Sequence, residues 1–173
     1  MKKRILGFTL IEIMVVVTII SILAGVMYVN FNDARAGARD EVRQNTLRNM
    51  QVALELYKSQ YGVYPDQGCN TSGWAGPGPS GCDEYILGLV PDFIPELPRD
   101  PIWEDEAGRG YMYRMDPSLS ISAYKLLSRQ TAEVDLVEDY SHDFSRCPSS
   151  TCGEPFVDTK TTYSVYSDGA EEW

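Results

Sequence analysis

The chain has 173 residues, with 15 basic and 25 acidic side chains and a formal net charge of −10, a length for which one domain is the default. Only Lys2, Lys3, Arg4 and Glu12 are charged before Asp33, so the remainder carries 12 basic and 24 acidic residues. That excess excludes a sequence-independent nucleic-acid binder, which needs a basic face, and disfavours adhesion of this part to anionic lipid.

Residues 8–29 form a run of 22 in which Glu12 is the single charge, and a bilayer core needs about 20 apolar residues in a helix. Three cations precede the run and Asp33 is the first charge after it. The positive-inside rule then puts the N-terminus in the cytoplasm and everything after Asn30 outside. A removed secretory signal has a shorter apolar stretch, of about 7–15 residues, and an A-x-A cleavage site. Leu23-Ala24-Gly25 lacks that spacing, and Val26 stands where a lipidated cysteine would be. A carboxylate at Glu12 costs roughly 2.5–3.5 kcal/mol at a helix centre and less near the interface. It is either paired or solvated among the headgroups.

Lys2-Lys3-Arg4-Ile5-Leu6-Gly7-Phe8-Thr9-Leu10-Ile11-Glu12, followed by apolar residues 13–17, resembles the class III signal sequence of the type IV pilin superfamily, which includes type IV pilins and the pseudopilins of type II secretion. The resemblance implies cleavage by a prepilin peptidase after Gly7, on the cytoplasmic face, and methylation of the new amino terminus of Phe8. It also implies that Glu12 pairs with the Phe8 ammonium of a neighbouring subunit. The two charges, each unfavourable in hydrocarbon, neutralise one another when that subunit docks, so the pair sets axial register as well as attraction.

Further along, Leu47, Met50, Leu54, Tyr57 and Tyr61 recur at steps of three and four among charged residues, the pattern of an amphipathic helix. No proline occurs before Pro65, which predicts one continuous helix over residues 8–61, about 80 Å long at 1.5 Å per residue. Gly25 and Gly37 are its weak points. Val29 stands where many family members carry a proline, which leaves Gly25 as the expected place for local melting. Tyr61-Gly62-Val63-Tyr64-Pro65 supplies a glycine C-cap and a proline just after it and resembles the helix-ending Y-G-x-Y-P of major pseudopilins. Residues 66–83, with five glycines and two prolines, read as a loop.

Residues 85–90 (YILGLV) read as a short helix or a strand. Prolines 91, 95 and 98 interrupt the next stretch, and residues 94–103 resemble the I-x-x-L-P-x-D-P-W segment of the secretion pseudopilins, with Ile102 inserted before Trp103. Residues 110–114, 122–128 and 162–167 are short, aromatic or β-branched and bounded by turn residues, as strands are. The predicted class is α+β: a long N-terminal helix, membrane-spanning in its first half, packed against a small antiparallel sheet, as in type IV pilins. Most of the eleven tyrosines fall at core spacing on these elements.

Cys69, Cys82, Cys147 and Cys152 lack the C-x2-C spacing of structural zinc and face an oxidising compartment, which favours disulfides. Three connectivities are possible. Cys69–Cys82 with Cys147–Cys152 is preferred because each bond pins a polar loop that has no core of its own. His142, between Asp139 and Asp143, reads as a surface group of raised basicity. No catalytic motif appears, so no enzyme and no cofactor is expected. Asn70-Thr71-Ser72 fits a glycosylation sequon. Ser167-Asp168-Gly169-Ala170-Glu171-Glu172 resembles the calcium-binding C-terminal loop of major pseudopilins and implies Ser167, Asp168 and Glu171 as oxygen ligands. The loop is shorter than the family's, and by composition alone it is a solvated acidic tail.

The chain is expected to comprise a leader, 1–7; a transmembrane and filament-core helix, 8–31; and an extracytoplasmic head, 32–173. The expected protein is a structural subunit of a type IV filament, a pilus or a type II secretion pseudopilus, held in the inner membrane until assembly. Its partners are further copies of itself, the prepilin peptidase, and an assembly platform protein with its ATPase. The alternative is a membrane-tethered binding or adhesion module that acts as a monomer.

Overall fold

The computed structural model describes residues 8–69, 73–77, 82–102, 108–116, 123–147 and 160–171. The leader, the Asn70 sequon, Trp103, Cys152 and Glu172 lie outside the described residues. The chain divides into two units, Met1–Ala36 and Gly37–Trp173.

Helix α1 (Leu10–Tyr61) has 52 residues, and its helical assignment runs unbroken through Gly25, Val29 and Gly37. It stops where the Y-G-x-Y-P pattern predicts. Gly62 adopts φ 83° and its N–H returns to the Lys58 carbonyl at 2.7 Å, a left-handed C-cap that a side chain would oppose.

In the second unit, strands β1 (Gly110–Asp116), β2 (Ala123–Arg129) and β3 (Tyr163–Tyr166) form an antiparallel sheet in the order β1-β2-β3. Strand β1 runs two residues beyond its prediction, while β2 and β3 begin and end within a residue of theirs. Met112 pairs with Leu127, and Leu126 with Val165. Leu47, Met50, Ala53 and Leu54 on α1 are buried with Tyr64, Tyr85, Tyr111, Tyr113, Tyr124 and Tyr163, so the expected helix stripe and most tyrosines are core. Several of their hydroxyls find carbonyl acceptors: Tyr113 donates to Pro65 O at 2.7 Å, Tyr163 to Asp135 O at 2.6 Å and Tyr85 to Pro98 O at 3.0 Å. Tyr61, at the end of the stripe, is half exposed and packs on Tyr57, ring centres 4.5 Å apart.

Two expectations change. Residues 85–90 form neither helix nor strand: Ile86 makes one bridge to Gln67 and a turn comes after it, while Tyr85, Ile86 and Leu89 plug the core. The loop at 66–83 is also more ordered than its glycines suggest. Ala75 and Tyr113 exchange two backbone bonds, at 2.8 and 2.7 Å, and the Gln67 side chain accepts from Met115 N at 3.2 Å. Gly76 allows this approach, since a Cβ there would stand 2.6 Å from Tyr111 O. The loop thereby covers the outer edge of β1, and Cys69–Cys82 closes it with a disulfide.

The buried stripe of α1 continues toward the N-terminus in charged residues. Asp40 and Arg43, spaced three and then four from Leu47, are 1 % and 0 % exposed. Arg43 grips Asp100 through Nε (2.6 Å) and Nη2 (3.1 Å), and its Nη1 reaches Asp40 (2.9 Å) and Glu133 (2.7 Å). Asp40 in turn accepts the backbone N–H groups of Glu133, Val134 and Asp135 at 2.8–3.1 Å. Burial opposes the Arg43 charge, but the bonds to Asp100 and Glu133 outweigh it and raise its pKa further. Glu133 also pairs with Arg39. That hydrogen bond, against a burial cost and helped by Arg43, holds the Glu133 carboxyl at about 2. One arginine thus ties the helix to two loops that have no regular structure.

Candidate functional site

The N-terminal end of α1 is built by a local rule. Thr9 precedes the first helical residue, and its carbonyl receives the first helical bond from Ile13 N at 3.4 Å. Its Oγ1 accepts from Glu12 N at 3.3 Å, while Glu12 Oε2 accepts from Thr9 N at 2.8 Å and Thr9 Oγ1 at 2.7 Å. This is a capping box, in which two otherwise unpaired helix N–H groups are satisfied reciprocally. Thr9 is the residue that reading Glu12 for its charge alone misses; the T-x-x-E spacing is the signal that finds it. Both bonds that the carboxylate accepts fall on Oε2.

Beyond the cap, the helix is apolar on every side. Phe8 is 84 % exposed, and the large apolar residues from Leu10 to Val26 are all more than half exposed. The most apolar 18-residue window has a mean hydropathy of 2.6 and nothing buried against it. The helix is long and apolar enough to cross a membrane. Its internal hydroxyls suit that setting: Thr18 donates to Met14 O at 2.7 Å and Ser21 to Val17 O at 2.8 Å, so neither presents an unmet donor to hydrocarbon.

The described C-terminal residues, through 171, make the following contacts. Ser167 Oγ accepts from Tyr124 N at 3.0 Å and Glu171 Oε2 from Gly169 N at 2.8 Å, while the Glu171 carbonyl accepts from Lys125 Nζ at 2.9 Å. Asp168 is exposed. Among the described residues no group of three His, Cys, Asp or Glu is arranged to hold an ion. Lys125 itself is fully buried, and burial first, then the nearby Arg146 charge, lower it to about 7 against the pull of Glu171. Cys147 is disulfide-bonded. His142 accepts from Phe144 N through Nδ1 at 3.1 Å, with Nε2 lying 3.6 Å from Asp135, which is a packed loop contact.

A capped, unburied apolar helix leading into a small α+β head defines the pilin-like class of structural proteins. The sequence pattern described as the prokaryotic N-terminal methylation motif matches residues 2–28. The chain is also 33 % identical over 115 residues to the type II secretion system core protein G of Vibrio cholerae serotype O1 (strain ATCC 39315 / El Tor Inaba N16961), an alignment covering 65 % of this chain and 72 % of that protein. No solved structure matches. The chain belongs to the type IV pilin superfamily. It is a structural protein and not an enzyme. The family points to a type IV filament subunit, and the motif with the apolar helix to membrane anchoring.

Proposed function

We propose that this chain is the subunit of a type II secretion pseudopilus, trimmed after Gly7, methylated at Phe8 and polymerised through residues 8–31. The observation that carries the reading is the unburied apolar helix with a single carboxylate, coinciding with the methylation motif. Such a surface needs lipid before assembly and other copies after it. In the single subunit Glu12 is satisfied by its own Thr9. A neighbour's Phe8 ammonium adds a charge partner that the cap lacks, and in hydrocarbon that favours docking at one axial register. The relationship to a secretion core protein favours the secretion filament over a surface pilus. The Cys147 disulfide is assigned to Cys152, the partner that the preferred connectivity gives it.

The test separates the charge from the cap. Glutamine serves as well as glutamate at the third position of a capping box, so Glu12→Gln removes the charge and keeps the helix start. In cells with the assembly system, the wild type should yield intact mass for a chain beginning at methylated Phe8 and filaments by negative stain. E12Q should be trimmed and membrane-bound yet form no filaments. Filaments from E12Q, or secretion sustained by E12Q without filaments, would overturn the proposal, the latter in favour of a tethered monomer.

A further inference from the structure

We propose that Lys125 is the built-in closure of the C-terminal loop, standing where the family resemblance implies a calcium ion, so that this head holds the loop without a metal. The proposal concerns the head alone and does not depend on the filament reading.

Lys125 lies in the middle strand, opposite Arg114 on β1 and Tyr166 on β3. Its side chain reaches the loop after β3. There Nζ sits 4.9 Å from the Tyr166 ring centre and donates to the Glu171 carbonyl at 2.9 Å. The preceding residue completes the strap. Tyr124 N donates to Ser167 Oγ at 3.0 Å, and Ser167 N donates back to Tyr124 O at 3.1 Å. Two adjacent residues of β2 therefore hold both ends of the 167–171 turn, whose interior is closed by Ala170 N to Ser167 O at 3.1 Å and Gly169 N to Glu171 Oε2 at 2.8 Å. A calcium ion in a loop gathers about six to eight oxygens at roughly 2.3–2.6 Å. Here Ser167 and Glu171 turn those oxygens onto N–H donors instead, and Asp168 is left exposed to solvent. Charge argues the same way. Arg146, 4 % exposed, adds its positive charge to that of Lys125, so a divalent cation would meet two buried basic side chains where it requires an excess of carboxylates. The Lys125 nitrogen donates a hydrogen bond in either charge state, so closure does not require the ammonium form.

The full chain in detergent micelles tests this by amide hydrogen exchange and thermal unfolding. Exchange of Gly169 and Ala170, and the Tm, should be the same in millimolar calcium chloride as in chelator. Lys125→Met keeps the apolar stem and removes the donor, and should speed exchange of residues 167–171 by about tenfold or more while α1 amides at 47–54 stay protected. A calcium-induced rise in Tm of more than about 2 °C in the wild type, or unchanged loop protection in K125M, would overturn the proposal. Should K125M fail to fold, the wild-type calcium titration decides alone: a response refutes and its absence supports.

Discussion

Arg43→Met should be the most damaging single change in the head. The side chain is 0 % exposed and its four polar contacts reach Asp100, Asp40 and Glu133. The three acids do not suffer equally. Asp40 keeps the backbone N–H groups of Glu133, Val134 and Asp135, and Glu133 keeps Arg39 and solvent. Asp100, 0 % exposed at its side chain, loses both guanidinium bonds, its contacts to a positive charge, and keeps Ile102 N at 3.0 Å among its remaining contacts. The penalty therefore concentrates on one buried carboxylate, and breaking a buried pair from one side costs about 3–5 kcal/mol. Against a total of about 5–15 kcal/mol for a typical domain, that removes a large share of the stability. Asp100→Asn leaves Arg43 with Asp40 and Glu133 and should cost less, about 1–3 kcal/mol. Urea unfolding of the full chain in detergent, followed by near-UV circular dichroism of the tyrosine core, measures all of these. The double variant R43M/D100L removes the buried carboxylate together with its guanidinium partner and should recover at least about 1 kcal/mol relative to the sum of the singles. An R43M cost below about 1 kcal/mol, or strict additivity in the double variant, would show that the cluster is not a coupled unit.

Two further outcomes can be checked with the same unfolding assay. Glu133 is held at about 2 in the folded head against 4.5 unfolded, so its contribution is complete above about pH 4.5 and is lost as pH falls toward 2; because the group is partly solvated we expect about 1–2 kcal/mol. Glu133→Gln should flatten that acid limb, and an unchanged pH profile in E133Q would sink the assignment. Replacing Cys69 and Cys82 with serine should lower stability by about 2–3 kcal/mol, as expected for a loop of this length. The backbone bonds between Ala75 and Tyr113 should then exchange faster than those between β1 and β2, and equal exchange would mean that the disulfide does not hold the loop on the strand.

How far the sequence could be read depended on the range of the interactions. The end of α1 and the three strands were legible because Gly62 with Pro65, and aromatic runs between turn residues, act within a few positions. The Thr9–Glu12 box is equally local and was available in the T-x-x-E spacing. Asp40 and Arg43 continue the 3-4 spacing of Leu47, Met50 and Leu54, but as charged residues they fall outside the apolar stripe that the periodicity picks out. Their partners lie 57 to 95 residues away in segments without periodicity, and no local pattern announces such a pairing. The role of Lys125 is not legible in the sequence for a related reason. In a strand covered on one face Lys125 would point to water, but β2 is buried at all but its last residue, and the Lys125 side chain is taken up by the loop after β3, through the Glu171 carbonyl at 2.9 Å and the Tyr166 ring.

The irregular segment 131–147 and the disulfide loop have a common consequence. A three-stranded sheet has two open edges, each a template for pairing with another chain. In this head the outer edge of β1 is engaged at Tyr113 and Met115 by the 66–76 loop, and the outer edge of β3 at Ser164 by Phe144. The segments with least sequence pattern thus spend their hydrogen bonds on the edges where heads would otherwise adhere strand to strand. The acidic excess after residue 32 adds repulsion between heads at any distance shorter than the screening length, about 8 Å in physiological salt. In the proposed filament, a head whose strand edges are engaged and whose charge is repulsive leaves association to the apolar helix. That division would let copies pack through their helices without the heads aggregating first.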